Sequence, residues 1–180
     1  MHQEFTQSDL EKYLDLFAEL NLQVWIDGGW GVDGLLGMQT RPHQDLDFLI
    51  EEVDSGKLVV AIRQLGFHDV HTNDHTEWNF VMGTLDGKNF DFHVLKLRQD
   101  GDFNYGPFEN PEVVTAKSLD GHGSIDERVF QCPTPEFMIQ SHTGYKLKPS
   151  DIHDLTRLHQ KFGVALLPDQ LTAIEKAKSG

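Results

Sequence analysis

The chain has 180 residues, of which 38% are hydrophobic and 24% charged, a composition that fits one globular domain and excludes disordered and fibrous classes. Asp and Glu number 29 against 15 Lys and Arg, and the net charge of −14 disfavours binding to long nucleic acid, because the basic residues are not concentrated anywhere. The single cysteine, Cys132, excludes an internal disulfide and a metal cluster built on thiolates.

The first 36 residues predict a helix, a strand and a glycine turn. Ser8 and Glu11 form a capping-box pattern ahead of apolar residues at helical spacing. A short apolar run at 24–26 leads into the glycine pair at 28–29, and the composition of 30–36 favours a short helix.

A strand with different chemistry on its two faces is predicted at 45–50. The alternating residues are Leu46, Phe48 and Ile50 against Asp45, Asp47 and Leu49. Successive side chains of a strand point to opposite faces, so both aspartates are expected on the same face. Asp54 or Ser55 can then cap a helix that ends at Gly66, where a left-handed residue suits a helix C-terminus.

The middle of the chain predicts a hairpin followed by an irregular segment. Segments 78–82 and 88–95 flank the pair Asp86-Gly87, a strong hairpin signal, although the loop can be longer than two residues. The second arm carries Asp91 among alternating apolar and polar residues. Segment 99–127 is rich in Gly, Asp, Asn and Pro, and it predicts loops with one edge strand.

The end of the chain has a helical pattern. Thr134 before Pro135 marks a helix start, because proline at the first helical position loses no needed donor, and this helix is expected to run to about residue 144. Ser150 and Pro168 open two further helices.

Three carboxylates, Asp45, Asp47 and Asp91, are the candidates for chemistry. Two carboxylates at i and i+2 lie on one strand face, roughly 6–7 Å apart along the chain, close enough to ligate hard cations such as Mg²⁺. Gly28 and Gly29, feeding a helix, expose backbone amides to an anion such as phosphate. Together these features suggest that a triphosphate and Mg²⁺ bind side by side. Alone, the aspartate pair is also typical of a solvated strand face, and the glycine pair of a tight turn.

The sequence resembles the antibiotic nucleotidyltransferases of the polymerase-β-like superfamily. The residues that carry the resemblance are Ile26-Asp27-Gly28-Gly29-Trp30-Gly31-Val32-Asp33, Gly37, Arg41, His43 and Asp45-Leu46-Asp47. The small lincosamide enzymes are more similar than the related aminoglycoside enzymes, because they share further motifs. Here these motifs are Asp91-Phe92-His93, Cys132-Pro133 in reversed order, and His142-Thr143-Gly144-Tyr145. The resemblance covers about residues 10–158.

The resemblance implies an α+β nucleotidyltransferase fold, a mixed β-sheet flanked by helices, with a catalytic domain at 1–132 and a C-terminal helical subdomain at 133–180. Asp45, Asp47 and Asp91 would be the catalytic residues and would hold Mg²⁺, with Asp91 as the catalytic base or a further metal ligand. The expected nucleotide-binding residues are Gly28, Gly29, Arg41, His43, Tyr145 and Asp154. Arg41 can also simply pair with an aspartate.

The implied reaction transfers a nucleoside monophosphate from a nucleoside triphosphate, with ATP expected, to a hydroxyl of a small antibiotic, and releases pyrophosphate. A lincosamide is the expected acceptor. An aminoglycoside, a protein hydroxyl modified as in toxin–antitoxin systems, and a non-catalytic nucleotide-binding module are the alternatives. We expect a monomer or homodimer. We also expect a cytoplasmic location without a membrane partner, because no apolar run reaches the length of a signal peptide or the ~18 residues of a membrane span.

Overall fold

The computed structural model of the protein describes residues 4–107 and 109–178. The ends of the two expected domains, 1–3 and 179–180, lie outside the described residues, as does Phe108 of the expected loop segment. The helices are α1 (Gln7–Glu19), α2 (Gly28–Leu36), α3 (Glu52–Gln64), α4 (Pro135–Ser141), α5 (Pro149–Phe162) and α6 (Pro168–Lys178), with a 3₁₀ turn at Ala116–Leu119. The strands are β1 (Val24–Ile26), β2 (Asp45–Glu51), β3 (His68–Val70), β4 (Asn79–Gly83), β5 (Asn89–Leu97), β6 (Phe103–Tyr105), β7 (Glu112–Val114), β8 (Gly121–Ile125) and β9 (Arg128–Cys132).

A mixed sheet forms the frame of the fold, with the order β1-β2-β5-β4-β3. Strands β2 and β5 are parallel, and β1, β4 and β3 join them in antiparallel pairs. Strand β6 pairs with the last residues of β5 and with β7, whereas β8 and β9 form a separate hairpin. Helices cover this sheet, so the expected α+β class is confirmed.

One face of β2 and β5 is apolar and forms the main core. Its buried residues are Leu46, Phe48, Ile50, Phe90 and Phe92. Helices α1 and α3 pack on this face through their own buried apolar residues. The alternation of a strand then leaves Asp47 and Asp91 on the opposite face. The packing therefore fixes which face can carry polar chemistry.

A second apolar cluster joins the C-terminal helices to α2: α4 and α5 pack against α2, and α6 packs against α5. Its buried members include Val32, Leu35, Met138, Ile139, Leu155, Leu158 and Ile174. Gln170 of α6 is buried and donates hydrogen bonds to the carbonyls of Ile139 and His142 at 2.7 and 2.9 Å, which joins α6 to the end of α4. The expected domain division at residue 132 stays a prediction, and this cluster contains residues from both sides of it.

Helix α1 begins two residues earlier than its predicted capping box. The Thr6 hydroxyl accepts a hydrogen bond from the Asp9 amide, and the Asp9 carboxylate accepts one from the Thr6 amide. Ser8 and Glu11 have the same spacing but lie inside the helix, so the predicted cap is wrong.

Helix α3 follows β2 without a connecting loop. It begins at Glu52, so Asp54 and Ser55 lie within its first turns, and neither caps it as predicted. Gly66 has a φ of +92° just beyond the end of the helix, which confirms the predicted left-handed residue there.

The segment 99–127 is more regular than predicted. It carries β6, β7, the 3₁₀ turn and β8 in place of loops with one edge strand. Each strand has only three to five residues, too few for an alternating pattern to stand out among Gly, Asp and Asn.

Helix α4 ends at Ser141 and does not reach residue 144. The His142 ring pairs through Nδ1 with the Met138 carbonyl at 2.6 Å, in the place of the next helical amide.

Among residues 4–107 and 109–178, none of the helices has the length and apolar character that a membrane crossing requires.

Candidate active site

Asp47 and Asp91 lie side by side on the polar face of the sheet. Their Cα atoms are partners in the parallel pairing of β2 with β5, and Leu49 and His93 form the next pair on the same face. One ligand atom from each of Asp47, Asp91 and His93 lies within 4.8 Å of the others. The two aspartate strands are therefore adjacent, and His93 joins the carboxylates.

Asp45 lies two residues before Asp47 on β2 and is more exposed. It is not in the group within 4.8 Å, but its charge acts on both other carboxylates. Burial raises the pKa of Asp47 well above its usual range, the charges of Asp45 and Asp91 raise it further, and Arg41 lowers it. Burial also raises the pKa of Asp91; His93 opposes this rise and Asp45 adds to it. The carboxylates thus repel one another across this face.

The cluster has the chemistry of a divalent-cation site. Asp91 Oδ1 is buried and has no hydrogen-bond partner within the described part of the chain. An unpartnered buried oxygen is costly, and a cation would both satisfy it and offset the repulsion that raises the pKa of Asp47. Carboxylate oxygens suit Mg²⁺ better than an imidazole does, so Asp45, Asp47 and Asp91 fit such an ion better than His93.

The glycine pair forms the first turn of α2, whereas the sequence predicted a turn before the helix. The Asp27 amide donates to the Asp47 carbonyl at 2.9 Å, which ties the helix start to β2. The first helical bond runs from the Gly31 amide to the Asp27 carbonyl, so the amides of 28–30 have no acceptor within the helix. Gly28 has a φ of +54°, and a Cβ there would lie 2.6 Å from Asp47 Cγ. Only glycine lets the carboxylate lie this close to the helix.

Beside the helix start, Arg41 belongs to a buried network of charged and polar side chains. Its Nε and Nη2 donate to the Asp154 carboxylate at 2.9 and 2.6 Å, and Nη1 lies 3.1 Å from His43 Nδ1. A guanidinium only donates, so His43 Nδ1 accepts, and its Nε2 donates to Asp33 at 2.6 Å. A Cβ at Gly29 would lie 2.5 Å from Arg41 Nη2. The network holds the guanidinium against the first turn of α2.

A cavity of about 670 Å³, which we call the α2 cavity, opens beside these groups. Its lining residues include Gly28, Gly29, Arg41, Asp45, Asp47, Lys148, His153 and Asp154. Helix-start amides and two cationic side chains face the same space as the carboxylates. This combination suits a triphosphate bound together with a divalent cation.

Two residues expected at the nucleotide are not among those that line the α2 cavity. His43 is 2% exposed and contacts Asp33 and Arg41, so it positions the guanidinium. Its expected role at the nucleotide stays a prediction. Tyr145 lies in the loop between α4 and α5 and is 49% exposed. Burial and the charge of Asp151 raise its pKa to about 12. A role for Tyr145 at the nucleotide stays a prediction.

Three residues around the carboxylates and the α2 cavity were not assigned to the site from the sequence. His93 shares a strand face with Asp91, and this alternation is the signal that points to it. Asp27 is the N-cap residue of α2 but makes no capping bond with its side chain. Lys148, just before α5, reaches the α2 cavity only through the tertiary fold, so no local pattern could indicate it.

Comparison with known proteins agrees with the motifs. The sequence model of the family described as aminoglycoside-2''-adenylyltransferase matches residues 9–158. The chain belongs to this family. A lincosamide resistance protein of Staphylococcus haemolyticus is 28% identical over 160 residues, which cover 85% of this chain and 94% of that protein. A 2''-aminoglycoside nucleotidyltransferase of Escherichia coli is 39% identical over 57 residues, 32% of each chain.

Solved structures of two antibiotic nucleotidyltransferases resemble this member of the family. The lincomycin-bound crystal structure of the lincosamide antibiotic adenylyltransferase LnuA has a TM-score of 0.77 and 25% identity, and the match covers 87% of this chain and 98% of that one. The complex of ANT(2'')-Ia with adenylyl-2''-tobramycin has a TM-score of 0.66 and 22% identity, and the match covers 96% of each chain. The nucleotidyltransferase fold inferred from the motifs is confirmed.

Proposed function

We propose that the protein transfers a nucleoside monophosphate from ATP to a hydroxyl of a lincosamide antibiotic and releases pyrophosphate. One observation carries the proposal: Asp47 and Asp91 are paired on adjacent strands, and Asp47 lies directly beside Gly28 at the start of α2. A lincosamide is favoured as acceptor because the similarity to the lincosamide resistance protein extends over 85% of the chain. We propose that the reaction takes place in the cytoplasm, by a monomer or homodimer.

The α2 cavity would bind the triphosphate. The amides at the start of α2 lie at its wall with the positive end of the helix dipole, and Lys148 adds a positive charge to its lining. Arg41 already donates hydrogen bonds to Asp154, so it would not bind a phosphate in a full bidentate manner. Its positive charge and its remaining donors would act on the phosphate.

Asp45, Asp47 and Asp91 would hold Mg²⁺ at the wall of this cavity. When bound, Mg²⁺ supplies positive charge that neutralises the triphosphate and its leaving group. Without a cation, the negative charges of these carboxylates would repel the phosphates of the triphosphate.

In the transfer step, the acceptor hydroxyl forms a new O–P bond to the α-phosphorus while the bond to pyrophosphate breaks. Asp91 would take the proton of the attacking hydroxyl. Its Oδ1 has no hydrogen-bond partner among the described residues, so this oxygen is free to accept the proton. General-base assistance of this kind contributes on the order of 10²–10⁴-fold to a rate.

An aminoglycoside is the second candidate acceptor. The family description and the net charge of −14 favour it, because a polycation is attracted to an acidic protein. Incubation of the protein with Mg²⁺, ATP or GTP, and either lincomycin or tobramycin tests both candidates by mass spectrometry. We expect lincomycin to gain the mass of AMP. Modification of tobramycin alone would contradict the lincosamide assignment, and modification of neither would contradict antibiotic transfer.

Asp47→Asn tests the assignment of the carboxylates. We expect transfer to fall by at least about 10³-fold, because the amide neither binds Mg²⁺ as a carboxylate does nor balances its charge. The exposed Asp69, in an ion pair with Arg63 on the surface, provides the matched control Asp69→Asn, which should keep full activity. Turnover by Asp47→Asn at the rate of the control would contradict the proposed site.

The same substitution gives a check on folding. The pKa of Asp47 is raised in the folded protein, so its ionised form destabilises the fold at any pH above the pKa of an unfolded aspartate. Without Mg²⁺ at neutral pH, we therefore expect Asp47→Asn to have a Tm equal to or above that of the parent protein. Loss of activity then reports on the site and not on unfolding.

A further inference from the structure

A second cavity, of about 440 Å³, shares none of its lining residues with the α2 cavity. Strands β6 and β7 and helix α4 enclose it, and we call it the β7 cavity. The residues that matter for its chemistry are Asp27, Leu49, His93, Tyr105, Glu112 and Phe137. Its volume lies within the range of small-molecule sites, about 300–1,000 Å³.

His93 connects the β7 cavity to the carboxylates. It lines the cavity, and one of its ring atoms lies within 4.8 Å of ligand atoms of Asp47 and Asp91. Its Nδ1 is 3.0 Å from the Tyr105 hydroxyl, which fixes the ring. Asp47 itself lines the α2 cavity. The α2 cavity therefore reaches the carboxylates through Asp47, and the β7 cavity reaches them through His93. A transfer between two bound molecules requires both to lie near the same reacting groups.

The wall of the β7 cavity is acidic at two points and apolar between them. Asp27 lies beside the carboxylates, where its charge acts on Asp47 and Asp91. Glu112 lies on β7 directly opposite Tyr105 of β6, so both side chains share one face. Leu49, Val113, Val114 and Phe137 supply the apolar wall. Among the described residues that line the cavity there is no Lys or Arg.

We propose that the β7 cavity is the acceptor site, and that it selects a hydroxylated amine with an apolar body, whose ammonium group pairs with Glu112. This assignment rests on the proposed function. Two separated carboxylates and an apolar wall match a molecule with one basic nitrogen, whereas a polyamine would leave most of its charges facing Leu49, Val114 and Phe137. Hydroxyl and amide groups of Thr115, Ser118 and Gln140 can bind the hydroxyls of such a molecule.

Two substitutions at exposed positions of β7 test the assignment without disturbing the core. Glu112→Gln removes the partner of the ammonium group, and Val113→Lys places a like charge on the wall; Val113 is 48% exposed. The matched control is Glu136→Gln, an identical change of charge at an exposed position of α4 that is not among the lining residues.

The measurements are the KM and kcat for lincomycin, the KM for ATP, and calorimetric binding of lincomycin without nucleotide. We expect Glu112→Gln to raise the KM and Kd for lincomycin about tenfold, because the variant loses one charge-assisted contact with the ammonium group. Val113→Lys should raise both further. The KM for ATP and the values for Glu136→Gln should stay within about twofold of the parent.

The results distinguish the cavity assignment, the class of acceptor and the proposed function from one another. The assignment of the β7 cavity as acceptor site would be overturned if the parent protein did not bind lincomycin. It would also be overturned if Glu112→Gln and Val113→Lys bound lincomycin as tightly as the control variant does. A tighter binding of tobramycin that depends on Glu112 would overturn the class of acceptor. Binding of lincomycin that is weakened by both variants, without any transfer of AMP by the parent, would overturn the proposed function and support the cavity.

Discussion

The geometry of the site depends on how closely the Asp47 carboxylate approaches the backbone of Gly28 at the start of α2. Gly28 combines a positive φ with a contact to Asp47 that leaves no room for a methyl group. Gly29 makes similar room for Arg41 and His43. The glycine pair thus has two functions, because it exposes helix-start amides and lets charged side chains approach them.

Gly28→Ala is expected to lower kcat at least about tenfold, because the added methyl must displace the Asp47 carboxylate and a misplacement near 1 Å can cost about 10²-fold. Gly56→Ala in α3 is the matched control, since a Cβ there has open space and the helix gains stability. Steady-state kinetics and Tm of both variants give the comparison. Equal kcat values for the two variants would show that the close approach is unimportant.

At the scale of elements, the Arg41 network joins parts of the fold that are distant in sequence. Asp33 lies in α2, His43 precedes β2, and Asp154 lies in α5. The Thr40 hydroxyl donates to Asp33 at 2.6 Å, so His153 of α5 donates to Thr40 at 3.0 Å. The C-terminal helices are therefore joined to the residues around the α2 cavity by polar contacts as well as by apolar packing.

Asp154→Asn is expected to lower the free energy of unfolding by about 1–3 kcal/mol, because it leaves the Arg41 guanidinium partly buried without its charge partner. For a chain of this size, Tm falls by about 2–4 °C per kcal/mol. The KM for ATP should rise as well, since Arg41 loses its fixed orientation. Asp69→Asn, in an exposed pair, should change Tm little. A fall in Tm no larger than that of Asp69→Asn would contradict the structural role of the network.

Elements whose residues are adjacent in sequence were predictable, and the contacts between them were not. The alternation around Asp47 and Asp91 indicated two strands with one polar face each, and Pro135 and Pro168 marked helix starts correctly. The pair Arg41–Asp154 spans 113 residues, and no local pattern identifies it. The short strands β6 and β7, which enclose the β7 cavity, were hidden within a Gly- and Asp-rich segment.

At the scale of the whole molecule, the net charge of −14 acts in opposite directions on the two proposed substrates, ATP and a cationic acceptor. Negative charge is concentrated around the paired carboxylates by Asp27, Asp45, Asp47 and Asp91, which act on one another through their charges. A cationic acceptor is attracted to this region, whereas free ATP is repelled until a cation accompanies it. The net charge therefore affects how often each molecule meets the protein, whereas the lining residues of each cavity affect which molecule binds there.

The dependence of acceptor KM on salt separates these two contributions. Between ~50 and ~300 mM NaCl the Debye length shortens to less than about 10 Å, so long-range attraction by the whole chain is largely screened. We expect the KM for a polycationic acceptor such as tobramycin to rise several-fold more than the KM for lincomycin, which carries one basic nitrogen and depends on contacts within its cavity. Parallel measurements with choline chloride in place of NaCl control for effects of the cation itself. Equal salt dependence for the two acceptors would show that the field of the whole molecule does not distinguish them, and that the class of acceptor is set by contacts alone.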